Sequence, residues 1–285
     1  MRVLVLGITG MLGGAVFRAF NSDLEHETWG TLRNSTGLKY FPDVTQDKLV
    51  CGVDALDQDA LTAAFVQVRP DVVINCVGLI KQLAYANDPL TALPINAMLP
   101  HRLARLCALS GTRLIHISTD CVFSGRKGSY RESDPSDAED LYGKSKYIGE
   151  LHDVQGAVTL RTSIIGHELS SNYSLVDWFL AQEGSVPGFS RAVFSGLPTA
   201  ELARVIKDFV LPHPELNGLY HVSAEPITKL DLLSLIARQY GKSIEILPDA
   251  TLVIDRSLDS ERFTRATGYK APTWPQLIEL MHATR

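Results

Sequence analysis

The chain opens with an apolar run that stops at a glycine, and two more glycines follow at three-residue intervals: Arg2-Val-Leu-Val-Leu6, then Gly7-Ile-Thr-Gly10-Met-Leu-Gly13. A short run that is apolar without alternation is the pattern of a strand buried on both faces. Met11 to Phe20 then places Leu12, Val16, Phe17 and Phe20 at helical spacing. Strand, glycine turn and helix in that order start a parallel β-α-β fold. Gly7 suits the tight turn, Gly10 lets backbone approach a phosphate, and Gly13 lets the helix lie close on the sheet. The helix N-terminus offers unpaired N–H groups and a positive dipole end to an anion. Gly7, Thr9, Gly10, Met11, Leu12 and Gly13 therefore form the expected seat of a dinucleotide pyrophosphate. The spacing is G-x-x-G-x-x-G instead of the commoner G-x-G-x-x-G, and a plain glycine turn is the alternative.

The strands that follow extend the same plan. Glu27 to Arg33 reads as the second strand, Val53-Asp54 as the end of another, Asp71 to Asn75 as the next, and Arg113 to Ser118 as the one after. Strand and helix alternate to about residue 165, which predicts an α/β fold with a doubly wound parallel sheet. An NAD-preferring site has an acid near the end of its second strand, on the ribose 2′-hydroxyl. Here Arg33 occupies that region. Its guanidinium suits a 2′-phosphate, which favours NADPH, with NADH also admitted; a solvated surface arginine is the competing reading. Asp54 is placed to meet the adenine. Cys76-Val-Gly78 is a small-residue turn at a strand's carboxyl end, where a cofactor crevice lies. Ser118, Thr119 and Asp120 arrive at the same edge.

Downstream stands Tyr142-Gly-Lys-Ser-Lys146. A spacing of four puts the phenol and the ammonium on one helix face. A phenol is a weak acid near pH 7, and a lysine beside it favours the phenolate and lowers its pKa. Such a pair in a surface helix means little. Placed after the Ser118-Thr119 strand end and paired with a dinucleotide loop, it suggests redox chemistry at a carbon bearing oxygen.

Beyond Ile165 the texture changes. His167 to Tyr173 is polar and loop-like, and Leu175–Ala181, Thr199–Leu211, Lys229–Tyr240 and Trp274–Ala283 read as helices. Ala192–Ser195 and Gly218–Val222 read as strands. Residues 1–165 are thus expected to be mainly the nucleotide-binding domain. Residues 166–285 are expected to be mainly a small substrate-binding lobe, with some segments returning to the first. Arg191 and Arg256 are candidates for a substrate diphosphate, because guanidinium matches phosphate bidentately; a surface ion pair is the alternative for each. Asp120 reads equally as a substrate contact or as a structural acid. His116 and His221 read as packed strand residues, and the acidic stretch Arg131 to Asp140 as a solvated loop at the cleft mouth.

A net charge of −5 gives no basic footprint for nucleic acid. No apolar stretch is long enough to span a bilayer. The chain runs directly into its first strand, which leaves no room for a secretory signal. Cys51, Cys76, Cys107 and Cys121 lack paired spacing and read as reduced thiols of a cytoplasmic protein.

Three stretches carry a family resemblance: Ile117-Ser-Thr-Asp-Cys-Val-Phe-Ser-Gly125, Tyr142-Gly-Lys-Ser-Lys-Tyr-Ile-Gly-Glu150 and Leu160-Arg-Thr-Ser163, with Gly196-Leu-Pro-Thr199 as a fourth. With the glycine loop they resemble the extended short-chain dehydrogenase/reductases, and within them the dTDP-4-dehydrorhamnose reductase family. The resemblance implies a Rossmann domain and NADPH-dependent reduction of the 4-keto group of a nucleotide-linked 6-deoxysugar in polysaccharide biosynthesis. The partner so implied is a nucleotide-sugar substrate, and the protein a monomer or homodimer. It implies Tyr142 as general acid, Lys146 as the residue that tunes it and holds the nicotinamide ribose, and Thr119 as the group polarising the carbonyl. The family has a tyrosine after its Thr-Asp pair; Cys121 stands here, beside the expected sugar site. Family members also hold magnesium through glutamates, one just after the glycine loop, where Ala15 lies here; no metal is expected. Two other functions stay open. One is a non-catalytic NADP-binding role like that of the regulatory subunit of methionine adenosyltransferase, which resembles the same family. The other is a sugar-nucleotide epimerase.

Overall fold

The computed structural model describes residues 1–81, 84–170 and 172–285. Ser171, inside the polar stretch at 167–173, lies outside them. Strand β1 (Arg2–Leu6) sends Val3 and Val5 into one apolar cluster and Leu4 and Leu6 into another. A strand with two buried faces needs helices on both sides of its sheet, and that is the architecture. β1, β2 (Glu27–Leu32), β3 (Leu49–Cys51), β4 (Val72–Asn75), β5 (Arg113–Thr119) and β6 (Ala157–Thr162) lie in one parallel sheet. After the short strands β7 (Ile164–Ile165), β8 (Ser185–Phe189), β9 (Ala192–Phe194) and β10 (Leu197–Pro198), β11 (Gly218–His221) returns to pair parallel with β6. The seven-stranded order is β11-β6-β5-β4-β1-β2-β3. The winding reverses between β1 and β4, so a crevice opens beyond their carboxyl ends.

One face is covered by α2 (Gln58–Val68) and α4 (Leu99–Ser110), which bring Leu61, Phe65, Leu99 and Leu103 against Leu4, Leu6, Val73 and Leu114. A short α3 (Pro89–Ala92) enters α4 through a π-helical segment, Leu93–Met98. After α5 (Leu141–Ile148) and α6 (Leu175–Ala181) come the helices of the other face, α7 (Thr199–Val205), α8 (Lys229–Gln239) and, past α9 (Glu261–Thr267), α10 (Trp274–Ala283). Together with α1 (Met11–Asn21) they bury Val16, Phe17, Leu202, Ile236 and Leu277 in one cluster with Val3, Val5 and Ile74. The remaining strands make small sheets: β10 with β7, β13 (Glu245–Asp249) with β8, and β9 between β12 (Ile227–Thr228) and β14 (Ile254–Asp255).

The expected doubly wound sheet with a C-terminal lobe is the fold. The third strand ends at Cys51 and Asp54 lies beyond it, because β3 pairs with β2 only from Leu49 to Cys51. The helix expected over Thr199–Leu211 is α7 followed by a π-helical stretch, Ile206–Val210.

Candidate active site

The glycine loop is fixed by two contacts that only glycine permits. Gly7 has φ +79°, and a Cβ on Gly13 would collide with the Gly7 carbonyl oxygen. Thr31 Oγ1 accepts from Gly7 N at 3.0 Å, tying the turn to β2. α1 then begins at Gly10 with no side-chain cap and no acid in its first turn. By contrast, Asp57, Asp140, Ser174 and Thr228 each cap their helices with a side-chain oxygen. The uncapped N–H groups of α1 face the crevice, the arrangement an anion such as a pyrophosphate completes.

Opposite the loop, the Cys76–Gly78 turn is held from both sides. Asn75 Oδ1 accepts from Val77 N at 3.1 Å, and Asn96 Oδ1 accepts from Leu79 N at 2.9 Å. Asn75 is itself held by His116 Nδ1 at 3.1 Å. His116 is buried, and burial followed by the charge of Lys146 keeps it neutral.

Between these walls runs a cleft of about 570 Å³. Thr9, Gly10, Met11, Leu12, Cys76, Val77, Gly78, Ser118, Thr119, Asp120, Cys121, Tyr142 and Lys146 all line it. The sequence-derived residues from the loop, the β4 turn, the β5 end and α5 therefore converge on one space. Phe194 and Lys229 close it from the C-terminal lobe.

Asp140 Oδ1 caps α5 by accepting from Gly143 N at 2.7 Å, and Lys81 holds its other oxygen at 2.6 Å. Lys146 crosses the floor, where its Nζ donates to Ile117 O at 2.8 Å. Burial brings the Lys146 ammonium down to about 8. The phenol of Tyr142 is held above its ordinary value by burial and then by the Cys121 thiol, with the Thr119 side chain acting the other way. The lowering of the phenol by Lys146 that spacing alone suggests is not among the influences on it; burial dominates instead. Burial, and then the Asp120 charge, push the Cys121 thiol up to about 12, so it keeps its proton at neutral pH. Burial likewise raises the Asp120 carboxyl, against the charge of Arg256.

Six candidates do not line the cleft: Gly7 and Gly13, which shape its loop from beneath, and four that lie elsewhere. Arg33 and Asp54 meet each other at 4.0 Å on the surface beyond β2 and β3. Arg191 is exposed, and its carbonyl accepts from Ile254 N. Arg256 lies behind the wall, where Nε donates to Phe123 O at 2.8 Å and Nη1 reaches Cys121 Sγ at 3.9 Å. Ser118 lines the cleft, but its hydroxyl donates to Glu150 Oε1 at 2.6 Å and is not offered to a ligand. The stretch from Arg131 to Asp140 pairs with residues on either side of it, through Lys127–Asp134, Arg126–Glu139 and Arg131–Asp259. Among the described residues there is no group of three or more His, Cys, Asp or Glu side chains that could hold a metal ion.

Sequence reading missed two features. Lys229 carries no local signal, since it arrives from more than eighty residues away. The other is a buried polar network. Glu150 takes Arg161 Nε at 2.9 Å and Nη2 at 2.5 Å, and Arg161 Nη1 donates to His221 Nε2 at 2.9 Å. The other His221 nitrogen donates to Tyr130 O at 3.0 Å. The i, i+4, i+8 series Tyr142, Lys146, Glu150 was the available clue.

Residues 1–281 match the family model described as the RmlD substrate binding domain. Methionine adenosyltransferase 2 subunit beta of Danio rerio is 31% identical over 266 residues, covering 88% of this chain and 76% of that protein. The spore coat polysaccharide biosynthesis protein SpsK of Bacillus subtilis (strain 168) is 32% identical over 203 residues, 68% of this chain and 70% of that one. Among solved structures, dTDP-4-dehydrorhamnose reductase from Bacillus anthracis str. Ames in complex with NADP superposes with a TM-score of 0.80 at 23% identity, covering 99% of both chains.

Proposed function

The chain belongs to the dTDP-4-dehydrorhamnose reductase-like family of extended short-chain dehydrogenases/reductases, and on that premise we propose that it reduces the 4-keto group of a nucleotide-activated 4-keto-6-deoxysugar with NADPH. The observation that carries this reading is one cleft with an uncapped helix N-terminus at one end and Thr119, Tyr142 and Lys146 at the other. The NADP in the Bacillus anthracis structure supports the choice of cofactor. SpsK, named for polysaccharide biosynthesis, supports the substrate class.

The uncapped N–H groups of α1 and the Gly7–Gly13 loop would hold the dinucleotide pyrophosphate, and Lys146 its nicotinamide ribose. A reduced nicotinamide so held supplies the hydrogen and two electrons that a ketone takes up on becoming an alcohol. Thr119 donates to the carbonyl oxygen and polarises it. Tyr142, kept protonated by its buried setting, delivers the proton to that oxygen as general acid. Lys146 places positive charge beneath the phenol as it becomes a phenolate.

Cys121 refines the substrate. Where the family carries a tyrosine, this smaller side chain leaves room beside the reacting ring, which favours a bulkier sugar such as a UDP-linked 2-acetamido analogue. Oxidation of NADPH is to be followed with a panel of dTDP-, UDP- and GDP-linked 4-keto-6-deoxysugars. We expect stoichiometric turnover with at least one, and a selective loss of the 2-acetamido substrate in Cys121→Tyr. A best rate on dTDP-4-dehydrorhamnose, or an equal loss on all sugars, would defeat the extra-room argument.

A second reading is favoured by the 31% identity to methionine adenosyltransferase 2 subunit beta: a nucleotide-binding regulatory subunit. Tight NADPH binding with no turnover on any keto-sugar would support it over the reductase.

A further inference from the structure

Reduction leaves one lysine of the cleft without a task. Lys229 opens α8, half-buried, with its Nζ over the Phe194 ring at 4.3 Å from the centroid. The other two lysines of the cleft are committed, Lys81 to Asp140 and Lys146 to Ile117 O. Among the described residues Lys229 has neither a hydrogen-bond acceptor nor a carboxylate within ion-pair reach. The ionisable side chains whose charge reaches it are Asp120 and Cys121, the two that directly follow Thr119. Lys229 lines the same cleft as Thr119, Asp120, Cys121 and Tyr142. Burial brings its pKa down to about 8, the range in which a lysine serves as a general base.

A ketone weakens the C–H bonds on its neighbouring carbons, because the electron pair left behind spreads onto the carbonyl oxygen. Resting on the reductase reading, we propose that the same cleft also enolises its ketone, with the neutral Lys229 amine removing a proton from the carbon next to the carbonyl. The C–H bond breaks and an N–H bond forms. The freed pair becomes the C=C bond while the carbonyl π pair moves to oxygen, where Thr119 and Tyr142 stabilise the charge. Return of a proton to carbon restores the ketone, so no oxidant or reductant is consumed. Lys229 exchanges its protons with solvent, and each cycle carries a solvent hydrogen into the sugar. Return of a proton to the opposite face, from solvent or from another acid of the cleft, inverts that carbon. The cleft is then an epimerase as well as a reductase.

The test uses the full chain with dTDP-4-dehydrorhamnose and its UDP-linked 2-acetamido analogue in D2O near pH 8. Deuterium uptake is read by mass spectrometry and located by NMR without reduced cofactor, and NADPH oxidation is measured in parallel. Uptake should occur at a carbon adjacent to the carbonyl, well above the protein-free control. Lys229→Met should lower exchange roughly 100-fold more than it lowers reduction. Lys229→Arg keeps the charge but cannot give up its proton, so exchange should stay lost. Reduction without deuterium uptake overturns the proposal and leaves the reductase reading intact. So does rescue of exchange by Lys229→Arg, or an equal loss of both rates in Lys229→Met, since Lys229 then only binds substrate. Neither reduction nor exchange with any ketone overturns the reductase reading and this proposal together.

Discussion

At the scale of single residues, the phenol of Tyr142 is the sharpest test of the site. Tyr142→Phe removes one oxygen and keeps the ring, so kcat should fall roughly 10²–10⁴-fold, the usual worth of a positioned general acid. NADPH affinity, measured by fluorescence titration, should hardly move, and near-wild-type turnover would remove Tyr142 from its role. Arg33 is tested by cofactor choice. It stands exposed at the end of β2, paired only loosely with Asp54, and an exposed pair at that separation holds it weakly. It is therefore free to turn toward a 2′-phosphate, and Arg33→Ala should weaken NADPH far more than NADH. An equal effect on both would return it to the surface-arginine reading. The residues legible from sequence share one property: each sits in a motif whose spacing has a geometric meaning. Gly7 and Gly13 announce a close backbone approach, and Tyr142 and Lys146 announce a shared helix face. Lys229 was illegible because its meaning comes from Phe194, Asp120 and Cys121, none of them near it in sequence.

At the scale of elements, α5, which carries the proposed Tyr142–Lys146 pair, is fastened at both ends. Asp140 caps its start, and just past its end Glu150 locks it to β6 and β5 through Arg161 and Ser118. Burial alone would raise the Glu150 carboxyl. The bonds from His152, Arg161 and Ser118 outweigh it and hold the group below its ordinary value. Glu150→Gln leaves the Arg161 guanidinium buried without its counter-charge, which should cost about 3–5 kcal/mol, read from urea denaturation. The sign of the pH dependence follows from the lowered pKa. The Glu150 contribution is fully present above the unfolded value, near 4.3, and is lost as pH falls through the lower folded value. The gap between wild type and variant should therefore close only in strong acid; a gap that is constant with pH would mean the ion pair is not what Gln disrupts. Periodicity located α1, α6 and α10 because each shows its buried face in its own sequence, whereas α5 buries Gly143, Ser145 and Lys146 and was placed by the Tyr142-to-Lys146 spacing. The strand pair β8–β13 was not found, since β13 is short, largely exposed and interrupted by Pro248, and is fixed by a partner more than fifty residues away.

At the scale of the whole molecule, the boundary near residue 165 divides the chain by composition, whereas the packing crosses it. The apolar cluster beneath β1 holds Val3, Val5 and Phe17 from the first part, and Leu202, Ile236, Leu277 and Met281 from the second. β11 supplies the sheet's seventh strand from residues 218–221 and covers the edge of β6. Arg113, at the start of β5, is held by the carbonyls of Val210, Leu211 and His213. A chain cut to 1–165 would leave one sheet face bare of α7 and α10, and the backbone of β6 unpaired along an apolar edge, a template for aggregation. It would also leave the Arg161 Nη1 proton without His221. We therefore expect the full chain to unfold in one calorimetric transition, and the 1–165 fragment to show no cooperative melt and to bind a hydrophobic dye. Two resolved transitions in the full chain, or a fragment that melts cooperatively and binds NADPH, would establish instead that the nucleotide-binding part folds alone. The difference matters for function, because Phe194 and Lys229 from one side of this boundary line the same cleft as Thr119 and Tyr142 from the other. A single cooperative unit keeps those groups in register before any substrate arrives, and independent units would have to assemble the cleft on binding.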